Sequence, residues 1–147
     1  MSINLNNGIK GRTDGVAVAA GYVGENGYLA ASATSVGSSG NYVNLITKVL
    51  QPGVWAVQGS VYINVGSATG VTAGTGAISL TSGTVDASPS WTGRTNVSTQ
   101  DVSASTPLRF LTVSVATTVY LVARLDYSSA GTAAWSTSST LNWFRIA

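Results

Sequence analysis

Five carboxylates make up the whole acidic repertoire of this chain of 147 residues: Asp14, Glu25, Asp86, Asp101 and Asp126. There is no His and no Cys. The commonest general base and the thiol nucleophile are therefore missing, and a Ser-His-Asp triad is ruled out. Paired carboxylates run glycoside hydrolysis. Asp86 and Asp101 flank a stretch holding Trp91, a ring that could stack on a sugar. The simpler reading is that both acids are solvated loop residues, so we assign no catalytic residue and expect a protein that is not an enzyme. Calcium needs several oxygen ligands close together, and no Asp cluster has that spacing. We expect no metal and no cofactor. Gly21 and Gly24 bracket Tyr22 and Val23, but no Lys-Ser/Thr follows, so they read as a turn rather than a phosphate loop. Binding chemistry is better represented. Trp91, Tyr127 and Trp135 lie in or beside expected loops, where exposed rings contact a glycan or a partner protein. The plainer role for them is to cap the ends of a core. Arg124 and Asp126 share the second face of an apolar strand, where an ion pair near a subunit seam would fix register.

The elements that must position these residues are strands. In residues 54–65, Trp55, Val57, Val61, Ile63 and Val65 share one side. Val54, Ala56 and Tyr62, with Gln58, Ser60 and Asn64, share the other. In residues 117–127, Val119, Leu121, Ala123 and Leu125 alternate with Tyr120 and Val122. Successive strand side chains point to opposite faces, so this alternation predicts two strands. A strand apolar on both faces is covered on both. One cover is the domain core. With no helix expected, a neighbouring subunit is the second, and Tyr62, Tyr120, Val122, Arg124 and Phe144 are the expected homotrimer interface.

The chain is 44% hydrophobic and only 8% charged. Residues that build helix surfaces are scarce, and no window of about 12 residues has a helical period. Strands are expected at residues 28–34, 43–50, 54–65, 77–81, 108–115, 117–127 and 135–146, with an edge strand inside 85–101. The turn Gln51-Pro52-Gly53 is expected to join the second and third as a hairpin. This predicts an all-β fold: an antiparallel, jelly-roll-like β-sandwich of about eight strands at residues 26–147. Residues 1–25 read as an N-terminal arm or linker. There Ile3, Leu5 and Ile9 recur without a period beside Lys10 and Arg12, so the arm orders against another surface. Residues 1–10 have no basic start followed by an apolar run, so no secretory signal is expected. The uncharged stretch 49–85 is broken by Gly, Pro and polar residues and cannot be a membrane helix. A transmembrane barrel is disfavoured by strands with two apolar faces. The net charge of +2 comes from seven scattered basic residues, too dispersed to predict nucleic-acid binding.

The run Gly11-Arg12-Thr13-Asp14-Gly15-Val16-Ala17-Val18-Ala19-Ala20-Gly21-Tyr22-Val23-Gly24-Glu25 resembles the opening segment of small β domains in tailed-phage virion proteins. Such domains occur at tail-fibre ends and on capsid surfaces. Leu50-Gln51-Pro52-Gly53-Val54-Trp55-Ala56-Val57-Gln58-Gly59, Thr117-Thr118-Val119-Tyr120-Leu121-Val122-Ala123-Arg124 and the final Arg145-Ile146 are similar too. The resemblance covers most of the chain from Gly11 onward. It implies a structural protein on the virion surface. That protein would be a trimeric capsid decoration or short head fibre, docked on other virion proteins through Ile3, Leu5, Ile9, Lys10 and Arg12. The alternative it implies is a tail-fibre or tail-spike tip that recognises a host surface glycan through Trp91, Tyr127 and Trp135. The strand order is also similar to the trimeric jelly roll of the tumour necrosis factor and complement-head type, an architectural likeness that carries no function. Fibre proteins usually carry a shaft before such a module. Only about ten residues precede Gly11 here, so decoration is the expectation.

Overall fold

A computed structural model describes residues 22–86, 90–93 and 101–147. The attachment residues expected at Ile3, Leu5, Ile9, Lys10 and Arg12 lie outside them, as does Asp14. The described residues form strands and turns without a helix. The strands are β1 (Asn26–Ala30), β2 (Thr34–Ser35), β3 (Val43–Leu50), β4 (Gly53–Asn64), β5 (Ala73–Ser79), β6 (Ser90–Gly93), β7 (Val102–Ser105), β8 (Arg109–Val113), β9 (Thr117–Asp126), β10 (Ala134–Trp135) and β11 (Thr140–Arg145). They build two antiparallel sheets. One runs β1-β11-β4-β10-β2, with β7 and β8 also pairing β4; the other runs β3-β9-β5-β6. The expected edge strand inside residues 85–101 is β6, at the end of the smaller sheet.

β4 organises the larger sheet. Its long alternating pattern lets it carry β11 and β10 along one flank and β8 and β7 along the other. Its inward residues Trp55, Val57, Val61, Ile63 and the following Val65 meet Val119, Leu121, Ala123 and Leu125 of β9 in the core between the sheets, as the alternation predicts. Leu111, Val113, Leu141 and Trp143 complete the layer from the larger sheet, and Ile46, Leu50 and Ile78 from the smaller. The sheets approach closely where glycine stands in each. A Cβ on Gly59 would strike Leu121 Cδ1, and one on Gly76 would come within 2.8 Å of Val61 Cγ2.

The chain crosses between sheets where the sequence suggests hairpins. β3 pairs with β9, whereas β4 pairs in the other sheet, so Gln51-Pro52-Gly53 forms a corner and not a reversal. Gly53 takes φ +151° there, and a Cβ on it would lie 2.6 Å from the Ala147 carbonyl oxygen. β8 and β9 likewise belong to opposite sheets. The closing strand expected at 135–146 is two, because a turn at Ser136–Ser139 separates β10 from β11.

One expectation about the second faces fails. Val122 points away from the core, yet it is 0% exposed in the single chain, and so is Ala77 opposite it on β5. A side chain without accessible surface has nothing to offer a second subunit, so Val122 is not a trimer contact.

Candidate functional site

The described carboxylates are held by structural partners. Asp86 pairs with Arg109 Nη1 at 3.0 Å and accepts the Leu80 backbone N–H at 2.9 Å. The same Arg109 nitrogen donates to the Ile78 carbonyl at 2.9 Å, tying β8 in one sheet to β5 in the other. Asp101 accepts the Tyr62 hydroxyl at 3.1 Å and the Val65 N–H at 3.2 Å, which fixes the far end of β4. That hydrogen bond holds the Tyr62 hydroxyl above its ordinary titration range, and desolvation and the Asp101 charge act in the same direction. Asp126 pairs with Arg124 at 2.9 Å on the outer face of β9, and Arg124 also lies over the Tyr42 ring at 5.2 Å. Glu25 lies 3.6 Å from Arg145. Among the described residues no group of three or more acids could hold a metal ion. Asp86 and Asp101, read from the sequence as a conceivable pair, are thus engaged by separate sets of partners.

The aromatic candidates separate on burial. Trp135 is 1% exposed and belongs to the core, where β10 pairs with Ile63 and Thr34. It caps the sandwich and is not a receptor contact. Tyr127 is half-buried against the core, and its hydroxyl donates to the Gly37 carbonyl at 2.5 Å. It therefore also acts as a brace. Trp91 pairs with Gly76 in the register of β6 and β5; its side chain lies outside the description.

The five residues expected at the trimer seam do not share a face. Tyr62 and Phe144 sit on the outer face of the larger sheet, opposite the inward Ile63 and Trp143. Tyr120, Val122 and Arg124 sit on the outer face of the smaller sheet. These faces look in opposite directions, and a contact between opposite faces stacks subunits in a row rather than closing a ring of three. The two groups cannot form one seam.

What the sequence reading missed lies beside Phe144. In register across three strands stand Phe144 of β11, Ala56 of β4 and Phe110 of β8. Tyr28 of β1 lies one row away, opposite Asn142. Phe110 is 65% exposed, Phe144 47% and Tyr28 70%. This is an aromatic patch on the larger sheet with no charged side chain in its row. The signal for Phe110 was present: residues 108–115 alternate with apolar side chains on both faces, as residues 54–65 do. No protein-family model matches the chain, and no curated protein matches it.

Proposed function

We propose that this chain is a structural protein of a tailed-phage virion surface. In this reading it is a jelly-roll homotrimer that decorates the capsid or forms a short head fibre, anchored by its N-terminal arm. The observation that supports the reading best is the order of strand pairing. β3-β9-β5-β6 lies beside β1-β11-β4 with β7 and β8, every pair is antiparallel, and the chain repeatedly changes sheets. Interleaved antiparallel sheets with the last strand beside the first make a β-sandwich, an architecture to which jelly rolls belong, and this supports the reading. The assignment to a virion rests on the resemblance of the segments at Gly11, Leu50 and Thr117. The described acids are bound up in ion pairs and hydrogen bonds that brace the sandwich, which favours a role in binding and assembly over catalysis.

The test is removal of residues 1–9. The truncated protein should fold and stay oligomeric, because the described strands begin at Asn26. It should fail to pellet with undecorated shells that carry down the full chain. Co-sedimentation equal to that of the full chain would remove the arm as anchor and shift weight to the receptor-binding reading.

A further inference from the structure

β3 carries a charge on its core-facing side. Ile46 and Leu50 face the core and are buried, and Lys48 stands between them on the same side, opposite the core residue Val119 of β9. It is the only charged residue from Asn26 to Val85. Arg109, Arg124 and Arg145 each pair with a carboxylate. Lys48 has no ion-pair partner among the described residues, and its ammonium lies 4.5 Å from the centre of the Trp143 ring. An apolar side chain would fill this position without the desolvation cost of an ammonium.

The place of β3 in the sheet gives the charge a purpose. β3 ends the smaller sheet, so its outer edge has no partner strand among the described residues. An unpaired edge is a template for another strand. At eight residues β3 is the longest such edge, against five or fewer for β1, β2, β6, β7 and β8. Val43-Asn44-Leu45-Ile46-Thr47-Lys48-Val49-Leu50 has no Pro or Gly and is rich in β-branched and apolar residues, the composition of a self-pairing segment. A bulge between Asn44 and Ile46 breaks the register near one end, a device that spoils an edge for pairing. From Ile46 to Leu50 the strand runs in regular register with β9. Lys48 is at the centre of that flat stretch.

We propose that Lys48 bars this edge from pairing with a strand of a second copy of the chain. Lys48 is half-buried: its stem lies along the core, and its ammonium reaches water at the open side of the sandwich, between β3 and β1. Trp143 floors that opening, so close to Gly27 of β1 that a Cβ there would stand 2.6 Å from Cζ2. A strand added to β3 would cover the opening and leave the ammonium buried with only a ring face for company. Burying a charge without a carboxylate partner is strongly unfavourable, which is how inward-pointing charges protect edge strands. Copies of the chain then meet through surfaces other than the β3 edge.

Lys48→Met tests it. Methionine keeps an unbranched stem and a contact with the Trp143 ring, and removes the charge. The variant should stay folded and associate through β3. Its mass by light scattering should rise with concentration to about double that of the unaltered protein or more. Amide hydrogen exchange should slow along β3 in the associated form and stay unchanged along β6, at the other end of the sheet. Lys48→Arg keeps the charge and should match the unaltered protein in mass. Circular dichroism checks folding, and Lys48→Gln, neutral and still polar, replaces Lys48→Met if the latter is not folded. The proposal is overturned if the neutral variant keeps the mass of the unaltered protein at every concentration. It is also overturned if Lys48→Arg associates as well, or if association leaves exchange along β3 unchanged. Mass is compared with the unaltered protein whatever its number of copies, so the outcome is independent of the virion reading.

Discussion

Trp55 is held by three different interactions. Its ring is buried in the core, its Nε1–H donates to the Gln51 carbonyl at 2.8 Å, and the Arg145 guanidinium lies 5.3 Å from the ring centre. Trp55→Ala removes all three and leaves a cavity, so it should cost about 3–5 kcal/mol in urea unfolding. A loss below about 1 kcal/mol would mean that the core side of β4 is misassigned. Tyr62 gives a pH signature. Its folded-state pKa is raised, chiefly because its protonated hydroxyl donates to Asp101. A group whose folded pKa is raised stabilises the fold fully below its unfolded value, about 10 for tyrosine, and loses that contribution as pH climbs through the folded value. Melting temperature should therefore fall less steeply above about pH 10 in Tyr62→Phe than in the unaltered protein. At pH 8 the variant should melt lower, since the bond is lost. Parallel curves from pH 8 to 11 would count against the Tyr62–Asp101 bond.

Single strands were the legible part of the sequence. β4 and β9 announce themselves because alternation states which side chains face inward, and the inward set of both is buried as read. Which sheet a strand joins is not written in that alternation. A corner and a hairpin both need turn residues, and only the corner lets Gly53 pack against Ala147. Hence β3 and β4 read as neighbours although they lie in different sheets. The same gap scattered the expected seam. Tyr62 and Phe144 were placed with Tyr120 and Arg124 because outward faces look alike until sheets are assigned, and Phe110 was left out. Arg109 tests how elements of opposite sheets hold together. It reaches from β8 to the Ile78 carbonyl of β5 and to Asp86. Arg109→Leu leaves that carbonyl and carboxylate without this donor, which should cost roughly 1–3 kcal/mol. Urea midpoints of Arg109→Leu and Arg109→Lys would decide the point. Lysine should recover part of the loss, and equal midpoints for both variants and the unaltered protein would show that the link contributes nothing.

At the scale of the whole molecule, the described chain closes on itself. β11 lies between β1 and β4, so strands from its two ends are neighbours. Just past β11 the chain grips the corner where β3 gives way to β4. The Val54 N–H donates to the Ala147 carbonyl at 2.6 Å, and the Ile146 N–H donates to the Val54 carbonyl at 2.7 Å. Arg145 adds bonds to the Pro52 and Ala147 carbonyls and lies near Glu25. Apart from the local bond between Arg145 and Ala147, the bonds to Pro52 and Val54 join residues some ninety positions apart, so the loop-closure entropy must be overcome before they form. A fold built on such distant pairings folds slowly, in milliseconds to seconds. The grip should also form late, after the β4–β9 core has met. Removing residues 145–147 should then destabilise by at least about 2–4 kcal/mol, since five backbone bonds, among them those of Arg145 to Gly24 and Glu25, go with the charged ones, at roughly 0.5–3 kcal/mol each. Nearly all of that loss should appear as faster unfolding, because interactions absent from the transition state leave the folding rate alone. Stopped-flow chevrons of the full and shortened chains separate the two limbs. A folding limb slowed as much as the unfolding limb is quickened would place the grip among the early contacts. The core would then close from the chain ends inward, and not from β4 and β9 outward.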